Sequence, residues 1–123
     1  MILNAKTIPH KEHRYPTTGD YWEEGGVGQI RVSEMESEDY EFLIMIHELV
    51  EGHLCKKRGV AVETVRAWDM AYQGDGEPGS AAGSPYKKEH FFAEAVERMV
   101  ASALRVDWDN YEEAINKLWE AAE

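Results

Sequence analysis

Apolar and polar positions follow two different rhythms along this chain, and the change comes near residue 35. Before it, short apolar runs are broken by Pro and Gly, the spacing of strands and turns. Met1 to Ile8 predicts a short strand, and Pro9 and Pro16 bracket a polar segment carrying His10 and His13. Tyr21-Trp22, Glu24-Gly25-Gly26 and Gln29-Ile30-Arg31-Val32 predict a hairpin turned on the glycines. The expectation for residues 1–34 is a small antiparallel sheet of two or three strands.

After the change the spacing is helical. Ser37-Glu38-Asp39 supplies a cap and first-turn acid, Lys56-Lys57-Arg58 supplies cations for a C-terminus, and Gly59 stops the helix. Val62, Val65, Trp68 and Tyr72 recur on one face and predict a second helix over Val62 to Tyr72. Residues 73–86 are rich in Gly, Ser, Ala and Pro and predict a flexible loop. A third helix is expected from about Lys87 to Leu104, and a fourth from Trp108 to the C-terminus. The fold class is α+β, the small sheet packed on about four helices, with residues 1–123 one domain and no internal repeat.

Composition narrows the function classes. Lys and Arg number 13 against 24 Asp and Glu, a net charge of −11. Nucleic-acid binding needs a basic footprint, so none is expected. The longest strongly apolar run, Phe42 to Ile46, is far too short to span a bilayer, and the start of the chain lacks a signal peptide's apolar core. Cys55 is the only cysteine, which excludes an internal disulfide and a Cys-rich zinc cluster and points to a reducing, cytoplasmic setting. Lys56-Lys57-Arg58 beside it would lower its pKa, but no His-Asp set accompanies it as for a cysteine nucleophile.

The chemistry concentrates in His47-Glu48-Leu49-Val50-Glu51, inside the apolar run Tyr40 to Leu54. On a helical wheel His47 and Glu51 lie about 40° apart and converge on one face, shared with Tyr40, Leu43, Ile44 and Leu54. Glu48 flanks the pair, and His53 falls on the far side. Ionisable groups in such a setting need a partner or a metal.

This H-E-x-x-E segment resembles the H-E-x-x-H helix of the zincin-like metallohydrolases, over roughly a fifth of the chain. The resemblance implies His47 and Glu51 as ligands of a divalent ion and Glu48 as general base, acting on a peptide or small-molecule amide. Glu51 stands where the family's second His belongs. The site is thereby more oxygen-rich, with zinc expected first and manganese or iron as alternatives. The strand-rich start, the H-E-L-x-E helix, the Gly/Pro loop and Tyr86-Lys87-Lys88-Glu89-His90 together also resemble a small family of uncharacterised phage and bacterial proteins, which implies no activity.

A third ligand has to come from another element, and Glu89 and His90 open the third helix. Imidazole chemistry favours His90. The wheel favours Glu89, because it projects onto the side defined by Phe92, Val96, Met99, Val100 and Ala103, while His90 groups with Glu94 and Glu97 on the charged side. Both stay open. Asp69 falls within the apolar face of the second helix, as a ligand or a residue orienting one. His10 and His13 read as loop residues, and Trp22, Trp68, Trp108 and Trp119 as packing. The competing expectation pairs Glu48 and Glu51 with Lys or Arg and His47 with a backbone carbonyl. The chain is then a non-enzymatic acidic protein that modulates a host protein, with a structural metal or none.

Overall fold

The computed structural model describes residues 1–122, so the last residue of the expected fourth helix lies outside the described residues. Three strands come first: β1 (Leu3–Ile8), β2 (Gly19–Glu24) and β3 (Val27–Ser33). Gly25 and Gly26, with φ of 59° and 79°, make the two-residue turn between β2 and β3. Positive φ at both central positions is what an inverse type I hairpin turn requires.

β3 is the central strand, in the order β1-β3-β2, and the sheet is mixed. β2 pairs with β3 antiparallel, as expected of the hairpin, whereas β1 pairs with β3 parallel, Leu3 opposite Gly28 and Ile8 opposite Ser33. The wholly antiparallel expectation is corrected there. The hairpin occupies one edge of β3, and the segment through Tyr15 returns the chain so that β1 runs along the other.

Four α-helices follow: α1 (Glu38–Lys57), α2 (Val62–Ala71), α3 (Lys87–Ala103) and α4 (Trp108–Ala122). Ser37 caps α1 by accepting from the Tyr40 amide at 3.4 Å. Among the described residues, no helix is long and apolar enough to cross a membrane. Between α3 and α4, Arg105 takes a positive φ of 59°. The Val106 amide then closes back on the Ala101 carbonyl at 2.9 Å, so the chain turns sharply into α4.

α1 and α3 form the heart of the helical layer. His47 on α1 meets Glu97 on α3, and Glu51 meets His90, so the two helices run antiparallel. One apolar cluster, Ile30, Val32, Leu43, Ile44, Ala101 and Tyr111, fills one end of this pair. A smaller one, Cys55, Val65 and Tyr86, fills the other. Between them the helices meet through charged and polar side chains.

The face by which α3 packs is only in part the one the wheel defines: Glu89 and Val100 turn inward as expected, but His90 and Glu97 join them. Glu89, His90, Ala93, Glu97 and Ala101 are buried, while Phe92 and Met99 are 58% and 67% exposed. The polar side of α3 turns inward because α1 offers it His47 and Glu51 as partners, and paired charge is tolerable in an interior where unpaired charge is not.

Candidate metal centre

α1 places His47 and Glu51 one turn apart, and the inward face of α3 brings His90 to them. The His47 Nε2–Glu51 Oε2 distance is 2.9 Å and the His90 Nδ1–Glu51 Oε2 distance is 3.0 Å. One ligand atom from each of the three residues lies within 4.8 Å of the others. The outer ring nitrogens are also engaged. His47 Nδ1 lies 2.7 Å from Glu97 Oε1, and His90 Nε2 lies 2.7 Å from Glu77 Oε2. Tyr111 donates its hydroxyl to the other oxygen of Glu97. The result is an alternating chain: Glu97, His47, Glu51, His90, Glu77.

An ionised carboxylate only accepts, so ring nitrogens placed between carboxylates on both sides favour the doubly protonated imidazolium form. Burial alone pulls the His47 pKa down, but the hydrogen bonds to Glu51 and Glu97 outweigh it and hold it well above 6.5. His90 is treated the same way by burial, Glu51 and Glu77, and rises from 6.5 to about 9. Burial raises the Glu51 pKa, yet the hydrogen bonds from His47 and His90 prevail and bring it to about 2. Glu51 is thus the anion between two cations.

The donor set fits a divalent ion. Two imidazole nitrogens and one carboxylate match the composition of open zinc sites. Glu97 and Glu77 hold the outer ring nitrogens, as carboxylates do behind metal-bound histidines, fixing ring orientation and raising basicity. The Tyr21 hydroxyl is buried without a hydrogen-bond partner among the described residues, and Glu51 is the charge that acts on it most strongly. That leaves unspent polar capacity beside the group.

The other expected residues separate clearly. Glu48 is half-buried beside this group, and its side chain lies so close to Gly19 that a Cβ there would fall 2.5 Å from Oε1. Burial, reinforced by Glu51 and only partly offset by His47, raises its pKa well above the usual carboxylate value. Glu89 is buried but sits outside the group, 3.8 Å from Arg58. Asp69 accepts hydrogen bonds from Tyr86 and, at 3.1 Å, from Tyr15. Its partner Tyr86 packs edge-on to His90, with ring centroids 6.0 Å apart. Burial raises Asp69 to about 6, against the opposing pull of the two tyrosines. His53 is exposed. His10 and His13 both bond to the Ser33 hydroxyl, at 2.8 and 2.9 Å. Burial pushes the Cys55 thiol up to about 11, the reverse of the lowering expected from its cationic neighbours.

Two members of the alternating chain have no place in the sequence expectations. Glu97 stood on what looked like the solvated side of α3, although its spacing of seven from His90 was a signal for one shared face. Glu77 comes from the loop, where no periodicity exists to reveal it. That loop is anchored: the Trp68 indole donates to the Pro78 carbonyl at 2.8 Å, and Gly79 packs so closely that a Cβ would fall 2.5 Å from the His90 ring.

The charge pattern predicts a pH profile for the metal-free protein. A histidine whose folded pKa is raised stabilises fully below 6.5 and loses that contribution as pH rises through the folded value, about 9 for His90. Asp69, raised to about 6, acts in the same direction at lower pH. Urea midpoints measured with chelator present should therefore fall steadily between pH 6.5 and 9. A flat profile across that window would show that the rings are not charged.

No protein-family model, curated protein or solved structure matches the chain.

Proposed function

We propose that this protein is a metal-dependent hydrolase of the zincin type, cleaving an amide or peptide bond. The observation that carries the reading is the convergence of His47 Nε2, His90 Nδ1 and the Glu51 carboxylate, with both outer ring nitrogens held by carboxylates. His90, not Glu89, completes the set. His47, Glu51 and His90 would hold a divalent ion, zinc foremost and manganese or iron next, which would supply acidification of a water and polarisation of a carbonyl. Binding it requires both rings to give up a proton on the Glu51 side. Glu97 and Glu77 then keep each ring in the ligating tautomer.

Glu48 is the general base. It takes the water's proton and returns it to the leaving nitrogen. Burial and the nearby Glu51 raise its pKa above the ordinary carboxylate value, the direction in which carboxylate bases are tuned. The substrate is a peptide or small-molecule amide, with neither nucleic acid nor membrane involved and a cytoplasmic setting for the reaction.

A second reading has its own support. All four ring nitrogens of the alternating chain already have a carboxylate partner, so its hydrogen bonding is satisfied without an ion. On that reading the protein is an acidic modulator of a host protein.

Metal binding separates the two. Protein purified without chelator and incubated with zinc or manganese should retain about one ion per chain, by mass spectrometry of the native protein. His47→Ala should reduce that retention at least tenfold, the scale on which even outer-shell changes act. Failure of the unaltered protein to hold any ion would end the hydrolase reading.

A further inference from the structure

A pocket of about 460 Å³ lies between the sheet and the C-terminal half of α1, and the metal ligands do not line it. Its volume is within the range of small-molecule sites. Ile2, Leu3, Trp22, Leu49, Val60 and Val62 are among the residues of its wall, and so is Glu48. The close crossing of β2 over α1 builds this wall: the Tyr21 ring rests on Gly52, where a Cβ would fall 2.9 Å from it. The Glu48 side chain is pressed against Gly19 in the same way.

We infer that this pocket receives a neutral, apolar group of the substrate, of the size of a branched aliphatic or aromatic side chain, beside the bond that Glu48 serves. The inference rests on the hydrolase reading for its link to catalysis, but not for the binding itself. Three observations set the chemistry of the occupant. The lining is predominantly aliphatic and aromatic, which rewards burial of apolar surface. The charge of Lys56 at its edge is offset by Glu23, 2.5 Å away. The Gln29 side-chain oxygen is likewise engaged, accepting from Asn4 at 3.1 Å and Arg31 at 2.8 Å.

Glu48 gives the pocket its direction. It lines the pocket from α1, the helix that also carries the ligands His47 and Glu51, one residue before it and three after it. A substrate with its apolar group in the pocket therefore presents its adjoining amide on the side where Glu48 faces the centre. Selection for an apolar residue next to the cleaved bond follows from that placement.

The test is a titration of metal-free, ¹⁵N-labelled protein with N-acetylglycinamide, N-acetylleucinamide and N-acetylphenylalaninamide, followed by amide shifts. The leucine and phenylalanine probes should move the amides of Gly26, Gly28, Gly52 and Gly59, which line the pocket, and bind at least tenfold more tightly than the glycine probe. Ala61→Trp, at the exposed start of α2, fills the pocket, and Val62→Glu places a charge in it. Each should weaken the phenylalanine probe at least tenfold with the dispersion of the amide spectrum retained. Equal affinity for the three probes, shifts centred elsewhere, or undiminished binding in both variants would overturn the inference. His47→Ala should leave probe binding unchanged, so loss of the metal reading and loss of the pocket are distinguishable results.

Discussion

Replacing Glu51 by Ala should destabilise the metal-free protein by about 3–5 kcal/mol at pH 6, the usual cost of removing one partner from a buried ion pair. Glu51 is 4% exposed and accepts from both His47 and His90 through the same oxygen. Without it, two imidazolium rings whose centroids are 4.8 Å apart face each other with no anion between them. Glu97 and Glu77 still hold the outer nitrogens, but they cannot relieve the repulsion on the inner side. The rings should respond by losing protons, so the destabilisation should shrink as pH rises toward 9. Glu51→Gln keeps one acceptor and should fall between the two. Both variants should fail to hold zinc. Urea unfolding at pH 6 and pH 9 measures the difference, and a loss below about 1 kcal/mol at pH 6 would mean that the alternating chain is not charged as described.

The first half of this centre was open to sequence reasoning, and the second half was not, for a physical reason. His47 and Glu51 are four apart on one helix, and that spacing alone puts them on one face whatever surrounds them. Leu43 and Ile44 beside them are buried, as the apolar run required. Glu89 and His90 are both buried, and the choice between them depended on which one meets Glu51 on α1. A wheel answers that by assuming that apolar residues are inside. Here the assumption fails, because α1 presents charge to α3 and α3 answers with His90 and Glu97, leaving Phe92 and Met99 outside. Only the partner helix carries that information. Glu77 is harder still, since it reaches His90 from a loop held by Trp68 and Pro78, contacts with no local signature. The sheet divides in the same way. Gly25-Gly26 announces the hairpin, but alternation along β1 is the same whether it pairs parallel or antiparallel.

Glu48→Gln carries the sharpest consequence for catalysis. In the zinc-loaded protein it should lower amide hydrolysis by a factor of about 10²–10⁴, the range for loss of a positioned general base. Glutamine is nearly isosteric with the protonated carboxyl, so it should fit against Gly19 without displacing β2. The metal should stay, since Glu48 is not among the converging ligand atoms. Stability should hold or rise, because the substitution removes a group whose ionisation in this surrounding is costly. The informative measurement is therefore a pair: zinc per chain, and cleavage of a peptide mixture rich in leucine and phenylalanine. Retained zinc with lost cleavage assigns the base. Retained zinc with unchanged cleavage removes Glu48 from that role, because a merely structural carboxyl would leave the reaction untouched while a proton acceptor could not.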